Sequence, residues 1–375
     1  MKGLPAMIPV NEPLLDGNEK RYLAECVKTG WVSSEGPFVR KLEEGFAARV
    51  GRRHGVAVCN GSVALDVAIA ALDIGRGDEV ILPSFTIISC AAAIVRAGAT
   101  PVLVDCEDDT WNTTVDRIAD RITPRTKASM IVHIYGLPVD MDPVFALAQH
   151  HGLRIIEDAA EMHGQTYKGR PCGSLGDVST FSFYPNKLVT TGEGGMVLTD
   201  DSVVAERCQA LRNLCFQPGK RFVHEELGWN FRMSNLQAAV GVAQLERLDE
   251  FVVLKRRIGT AYQELLRDIG GVQLPVARTA YAENIYWVFG VVLDDHVPFD
   301  AAEAMRRLAA RGVGTRPFFW PMHEQPALRK MGLFADEAYP NAERLARRGF
   351  YLPSGLSLTE PQIHKVAATV RELMQ

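Results

Sequence analysis

The chain has 375 residues, of which 47% are hydrophobic and 23% are charged, and its formal net charge is −4. This composition is typical of a globular protein of two or three domains, and the slightly negative charge gives no basis for nucleic-acid binding. No apolar run is long enough to span a membrane. The seven cysteines are scattered along the sequence, and this spacing predicts reduced thiols and no metal site in a cytoplasmic protein.

The N-terminal part of the chain leads from a helix pattern into a first strand and turn. Residues 1–10 lack a basic start followed by an apolar core, so no signal peptide is predicted. Apolar residues at helical spacing predict a helix over 38–50, and the run 55–59 predicts a buried strand. That strand opens onto Asn60-Gly61-Ser62 and a helix pattern over 64–72. A strand, a short polar turn and a helix offer backbone amides and the helix dipole to a phosphate.

Between residues 79 and 212, short apolar runs alternate with helix patterns. Such alternation predicts βαβ units and an α/β domain with a mostly parallel sheet flanked by helices. The predicted strands cover 79–82, 100–104, 128–133, 154–156, 177–183 and 195–199, and the predicted helices cover 86–97, 143–151 and 202–212.

The pattern changes near residue 250. We predict one long helix over 235–251, and then a smaller C-terminal α/β domain, which divides the chain into residues 1–250 and 251–375. The charge-rich run 344–348 predicts a solvated helix face, and Thr359 with Gln362 has the spacing of a capping box. The other predicted elements of this part are helices over 253–269 and 301–311, a strand over 286–293 and an extended piece at 312–317.

A single lysine, Lys187, stands in an uncharged run of aromatic, hydroxyl and small residues that leads into a glycine-rich turn. Loss of hydration in apolar surroundings lowers the pKa of a lysine and favours the neutral amine, which is the form that attacks a carbonyl carbon. The alternative is a lysine on an exposed loop, which is the usual setting of this residue.

Two carboxylates, Glu157 and Asp158, follow the apolar residues of a predicted buried strand. Open α/β sheets bind ligands outside the carboxyl ends of their strands. A carboxylate, a lysine and a phosphate-binding turn are what pyridoxal phosphate requires, because the lysine forms a Schiff base and the carboxylate keeps the pyridine nitrogen protonated. Asp158 could instead cap the helix that follows it.

With these motifs the chain resembles the DegT/DnrJ/EryC1/StrS sugar aminotransferases, which are pyridoxal phosphate enzymes of fold type I, almost from end to end. The resemblance implies their fold, a homodimer without nucleic-acid or membrane partners, and a site shared between subunits. The matching segments are residues 31–36, 60–65, 83–86, 157–164, 181–187, 190–195, 228–235 and 316–323.

The resemblance also implies a role for individual residues. Lys187 would carry the Schiff base and move the proton, and Asp158 would hold the pyridine nitrogen. Glu161, where many relatives have glutamine, would lie near the phenolic oxygen, and Ile87 stands where relatives usually place an aromatic against the cofactor ring. Further cofactor contacts would come from Gly61, Ser62, Val63, Ser182 and, across the dimer interface, Asn230.

For the substrates, the resemblance implies L-glutamate as amino donor and a nucleotide-linked 4-keto-6-deoxy sugar as acceptor. Within the family it points to GDP-4-keto-6-deoxy-D-mannose, aminated at C4. The nucleotide-sugar groove would be lined by Trp31, Ser33, Ser34, Arg316 and His323.

The sequence leaves three alternatives to this interpretation open and excludes a fourth. A UDP- or dTDP-linked keto sugar, aminated at C4 or C3, stays open, and so does a non-catalytic binding protein that keeps the fold. Arg316 could form a structural ion pair instead of binding diphosphate. A Rossmann-type oxidoreductase is excluded, because no Gly-x-Gly-x-x-Gly turn follows the first strand.

Overall fold

A seven-stranded mixed sheet and a separate four-stranded sheet organise the computed structural model, which describes residues 7–217, 219–220 and 222–375. Residues 1–6, part of the segment searched for a signal peptide, lie outside the described residues. No described helix is both long and apolar enough to cross a membrane. The strands are β1 (His54–Val58), β2 (Glu79–Pro83), β3 (Thr100–Val104), β4 (Thr126–Val132), β5 (Arg154–Asp158), β6 (Thr166–Tyr167), β7 (Arg170–Pro171), β8 (Val178–Ser182), β9 (Gly195–Thr199), β10 (Val272–Gln273), β11 (Phe289–Leu293), β12 (Arg316–Pro317) and β13 (Gly349–Leu352).

The helices flank these sheets. They are α1 (Glu19–Thr29), α2 (Pro37–Val50), α3 (Gly61–Ala71), α4 (Ile88–Arg96), α5 (Val115–Ala119), α6 (Met141–His151), α7 (Ser202–Arg212), α8 (Asn235–Leu245), α9 (Leu248–Leu266), α10 (Ala301–Ala310), α11 (Pro326–Arg329), α12 (Pro340–Arg348) and α13 (Glu360–Met374), with a 3₁₀ turn at Met322–Glu324.

The large sheet has the strand order β1-β9-β8-β5-β4-β2-β3. Strands β3, β2, β4, β5 and β8 run parallel, whereas β9 is antiparallel to both β8 and β1. The predicted α/β architecture is therefore confirmed. Because β1, β4, β5 and β8 point the same way, the residues that follow them meet at one edge of the sheet, where α/β folds bind ligands.

The small sheet, β10-β11-β13-β12, is antiparallel and has its own hydrophobic core. Ile8 belongs to that core and forms a bridge to Val313, so the beginning of the described chain packs against its C-terminal part. The boundary that we predict between residues 250 and 251 falls inside α9.

Most predicted elements are present, and the prediction of one helix over 235–251 is wrong. The chain leaves helical geometry at Arg247, where φ is −113° and ψ is 9°, between α8 and α9. The guanidinium of Arg247 pairs with Asp16, which precedes α1, and with Glu250 in the first turn of α9, and these two ion pairs hold the bend. The apolar periodicity continues through this point, which is why the pattern suggested one helix.

Two expectations for the C-terminal part have different outcomes. The predicted cap of the last helix is confirmed, because the Thr359 amide donates to Oε1 of Gln362 at 2.9 Å. The run 344–348 is not simply a solvated face. Arg348 at its end is half-buried and donates to the carbonyl oxygens of Leu293, Val297 and Phe299, tying α12 to the chain after β11.

The carboxylate of Glu157 joins β5 to the loop before β8. It is fully buried and accepts the amides of Gly173, Leu175 and Gly176. Nε2 of His133 donates to it at 3.2 Å, because Nδ1 of that ring accepts the amide of Val139. Burial would raise the pKa of Glu157, but these donors outweigh burial and the pKa lies below its ordinary value.

We therefore expect Glu157→Gln to destabilise the fold by about 1–3 kcal/mol, because an amide turns an N–H group toward buried donors. Thermal denaturation measures this as a lower melting temperature at neutral pH. The difference should shrink in acid, since a carboxylate with a depressed pKa loses its stabilising effect as it takes up a proton. Glu264→Gln, on the exposed face of α9, is the control. Equal melting temperatures for the two variants at neutral pH would contradict this role of Glu157.

Candidate active site

A cavity of about 730 Å³ opens at the carboxyl edge of the large sheet. Residues after β1, β4, β5 and β8 line it from the sheet side, and α3 and α4 contribute their first turns. Three aromatic residues from the C-terminal part of the chain, Trp287, Phe319 and Tyr351, complete the wall. Two regions that are distant in sequence thus enclose one space.

The amine of Lys187 lies inside this cavity. Its side chain is only 10% exposed, and Nζ lies 3.8 Å from Oε1 of Glu161 and 3.6 Å from the ring centroid of Trp287. Burial lowers the pKa of Lys187, as we predict from the sequence, while Glu161 and Asp158 partly offset that effect. The alternative of a lysine on an exposed loop is excluded.

Two carboxyl groups share the cavity with this amine. Asp158, at the end of β5, is almost fully buried, and burial raises its pKa. Burial also raises the pKa of Glu161, to about 8, so this carboxyl keeps its proton at neutral pH.

Glu161 is held by a turn with an unusual backbone. Its Oε2 accepts the amide of Tyr135 at 2.6 Å, and Tyr135 adopts φ of 55°, a left-handed conformation that is rare for an aromatic residue. Gly136 follows with φ of 108°. The ring of Tyr135 is buried among aromatic side chains, so packing stabilises this strained turn and directs its amide at the carboxyl group.

The N-terminus of α3 provides the polar end of the cavity. The Asn60 side chain caps the helix by accepting the amide of Val63 at 3.0 Å, and the Ser62 hydroxyl lies 2.7 Å from that of Ser89. A Cβ atom on Gly61 would lie 2.7 Å from Cβ of Ser182, so only glycine lets the helix start approach β8 this closely. The amides of a first helical turn and these hydroxyls form a binding site for a phosphate group.

These groups fit pyridoxal phosphate. A buried amine, a buried carboxylate and a polar helix terminus line one cavity, which matches the reactive carbon, the ring nitrogen and the phosphate of that molecule. In addition, Oγ1 of Thr180 is buried in the cavity wall without a hydrogen-bond partner among the described residues. A buried hydroxyl in that state indicates that a polar ligand group belongs beside it.

The structure brings most of the predicted cofactor residues together. Ile87 lines the cavity with 44% of its surface exposed. Asn230 does not line the cavity of its own chain, and its Oδ1 accepts a hydrogen bond from Arg232. The predicted cofactor residues that line the cavity are Gly61, Ser62, Val63, Ile87, Asp158, Glu161, Ser182 and Lys187.

The predicted substrate residues lie outside the cavity of the single chain. Trp31, Ser33 and Ser34 are at least partly exposed before α2, and Arg316 is exposed on β12, opposite Tyr351 in the register. His323 differs from these exposed residues, and its role in the groove stays a prediction. Its ring is buried, with Nδ1 2.9 Å from Oγ of Ser84 and Nε2 3.0 Å from Glu343, so both nitrogens have partners.

Sequence reasoning missed several cavity residues. Tyr184 is 49% exposed and lines the cavity. Trp287 and Tyr351 were not singled out, although Trp287 touches the amine of Lys187. The cluster Tyr286-Trp287 just before β11 is a signal that could have found the former, since aromatic residues at a strand end often line ligand cavities.

The chain is similar to known aminotransferases in both sequence and structure. A sequence profile of the DegT/DnrJ/EryC1/StrS aminotransferase family matches residues 13–371. The GDP-perosamine synthase of Caulobacter vibrioides is 41% identical over 374 residues, which covers 100% of both chains. The UDP-N-acetyl-3-dehydro-alpha-D-glucosamine 3-aminotransferase of Acidithiobacillus ferrooxidans is 39% identical, over 89% of this chain and 88% of its own. Among solved structures, DesI in the presence of its TDP-sugar product is 34% identical with a TM-score of 0.87, covering 99% of this chain and 93% of that chain.

The pair formed by Lys187 and Glu161 leads to a test of pH dependence. In Glu161→Gln the negative charge that favours the ammonium form is lost, so the amine should become neutral at a lower pH. The rate of pyridoxal phosphate uptake by the cofactor-free protein measures this. The two profiles should agree below about pH 8, where the Glu161 carboxyl keeps its proton, and separate above it, with the variant reaching its plateau first.

Glu193→Gln is the matched control, because Glu193 lines the same cavity but is exposed. Coincident profiles for Glu161→Gln and the unaltered protein at every pH would show that the two groups are not coupled.

Proposed function

The chain belongs to the DegT/DnrJ/EryC1/StrS aminotransferase family and is a pyridoxal phosphate-dependent enzyme, and on this basis we propose that it aminates a nucleotide-linked keto sugar. The proposed reaction transfers the amino group of L-glutamate to C4 of GDP-4-keto-6-deoxy-D-mannose and yields GDP-perosamine. The observation that carries the proposal is a cavity with Lys187, Asp158 and Glu161 in a chain that is 41% identical to a GDP-perosamine synthase over its whole length.

Lys187 is the proposed proton carrier. When bound, pyridoxal phosphate supplies a carbonyl carbon that condenses with amines and a ring that takes up electrons. Because burial lowers its pKa, the Lys187 amine is able to take a proton from the carbon atom that bears the amino group of the donor, and to give a proton to the carbon atom of the acceptor that receives that group. The face of Trp287 at 3.6 Å stabilises the ammonium form while the amine holds the proton.

The two carboxyl groups have different proposed tasks. Asp158 ends β5 under the cavity and, when ionised, would pair with a protonated ring nitrogen. Glu161 has a pKa of about 8, so its carboxyl is able to donate a hydrogen bond to a ring oxygen at neutral pH. The N-terminus of α3 with Ser62 and Ser182 would hold the phosphate.

The aromatic wall supports a sugar nucleotide as the second substrate. Tyr184, Phe319 and Tyr351 line the cavity, and sugars and bases pack on aromatic faces. Arg316 lies on the strand beside Tyr351, where its fork would bind a diphosphate. A UDP- or TDP-linked keto sugar is the second candidate, because the two relatives that act on or bind such sugars are 39% and 34% identical to this chain.

We further propose a homodimer in which Asn230 of the partner subunit completes the phosphate site. Asn230 lies outside the cavity of its own chain. The segment before it exposes large apolar side chains, among them Leu227 at 93%, together with Val223 and Trp229. Exposed apolar residues this close together mark an interaction surface. A cytoplasmic location is also proposed, since all seven cysteines are free thiols.

The proposed reaction is tested by incubating the protein with L-glutamate and GDP-, UDP- or dTDP-linked keto sugars. Mass spectrometry should detect the amino sugar, and the GDP-linked substrate should be converted faster than the UDP- and dTDP-linked ones. Lys187→Ala should lower the rate by a factor on the order of 10³ or more, because it removes the group that moves the proton. Lys330→Ala, an exposed lysine, is the control. Transfer only to a UDP or dTDP sugar would contradict the GDP assignment, and no transfer to any keto sugar would contradict the proposal.

A mixture of two impaired variants tests the shared site. In Asn230→Asp a negative charge replaces the group proposed to meet the phosphate, so the variant alone should be weakly active. Lys187→Ala alone should be inactive. If the subunits exchange, half of the random dimers are mixed and carry one intact site each, which restores about a quarter of the normal activity. No gain on mixing, with exchange verified by tagged subunits, would contradict a contribution of Asn230 across the interface.

A further inference from the structure

The thiol of Cys90 lies behind the carboxylate that faces the cofactor cavity. Cys90 is in the first turn of α4 and is fully buried. Its Sγ is 3.2 Å from Oδ2 of Asp158 and 3.5 Å from Oγ1 of Thr86. The other carboxylate oxygen, Oδ1, accepts the amide of Ala160 at 3.1 Å. Each oxygen of Asp158 therefore has a separate donor, and for Oδ2 that donor is the thiol.

The thiol is the donor in this contact. An ionised carboxylate only accepts hydrogen bonds, so the proton between the two groups belongs to Cys90. Burial raises the pKa of Cys90 well above its ordinary value, which keeps the S–H group intact. The hydroxyl of Thr86 is able to donate to the same sulfur, which gives a short chain of donors that ends on Asp158.

Asp158 depends on such donors. Burial raises its pKa and so opposes the ionised form, which is the form that pairs with a protonated ring nitrogen. The amide of Ala160 and the thiol of Cys90 act in the opposite direction and favour the carboxylate. The titratable groups that face Asp158 from the neighbouring elements are Lys187, His133 and Glu161, besides Cys90 itself.

We propose that Cys90 is a positioning residue for Asp158: its thiol fixes the orientation of the carboxylate and favours its ionised form, and thereby sets how tightly the cavity holds the cofactor ring. A thiol is a weaker donor than a hydroxyl, so a serine at this position would act in the same sense and more strongly. This role rests on the proposed function, because it takes the cavity as the cofactor site.

The test is the dissociation constant of pyridoxal phosphate for the cofactor-free protein, measured by quenching of tryptophan fluorescence over a range of pH. Cys90→Ala should weaken binding about three- to tenfold at neutral pH. As the pH is lowered, Cys90→Ala should also lose its affinity at a higher pH than the unaltered protein does, because Asp158 without this donor takes up a proton more readily. Cys90→Ser should shift the acid side of the profile in the opposite direction, to lower pH.

Cys208→Ala is the matched control, since it removes an equally buried thiol from α7. It should lower the melting temperature and leave the dissociation constant and its pH profile unchanged. If Cys90→Ala and Cys90→Ser both bind like the unaltered protein at every pH, the thiol only fills space and the proposed role is wrong. If Cys90→Ala does not fold, the direction of the shift in Cys90→Ser decides. An unaltered protein that does not bind pyridoxal phosphate would overturn the proposed function, and this role with it.

Discussion

The burial of three ionisable groups in one cavity is the constraint on which the rest of the site depends. Lys187, Asp158 and Glu161 are removed from water at the edge of the sheet, which disfavours the charged form of each. An amine that is ready to exchange its proton and a carboxyl that keeps its proton at neutral pH both follow from this burial. The parallel strands make it possible, since they bring chain segments that are distant in sequence to the same edge.

The loop that carries Lys187 is held from several sides, which fixes the buried amine in place. The side-chain amide of Asn11 donates to the carbonyl of Pro185 at 3.1 Å, and the indole of Trp287 donates to the carbonyl of Asn186 at 2.9 Å. The beginning of the described chain and its C-terminal part therefore both support a loop of the large sheet. A site on a loop becomes rigid when separate elements hold its backbone in this way.

The sequence was sufficient for the groups whose position follows from strand ends. Asp158 ends β5 and Lys187 lies on the loop after β8, and the parallel strands β5 and β8 place both residues at the same edge of the sheet. Side-chain direction needed the structure. His323 lies in a segment that matches the family, yet its ring turns into the core, while Tyr184 turns out to the cavity. The tertiary contacts that decide these directions, such as those of His323 with Ser84 and Glu343, join residues far apart in the chain.

The measurement that tests the account most directly is chemical trapping of the cofactor on the protein. Borohydride converts the condensation of a lysine with the aldehyde of pyridoxal phosphate into a stable bond, and peptide mass spectrometry then locates the modified residue. The account predicts a single labelled lysine, Lys187, and no label in Lys187→Ala. Label on Lys255, which is also buried, or on exposed lysines with Lys187 unmodified would contradict the assignment of this cavity as the active site.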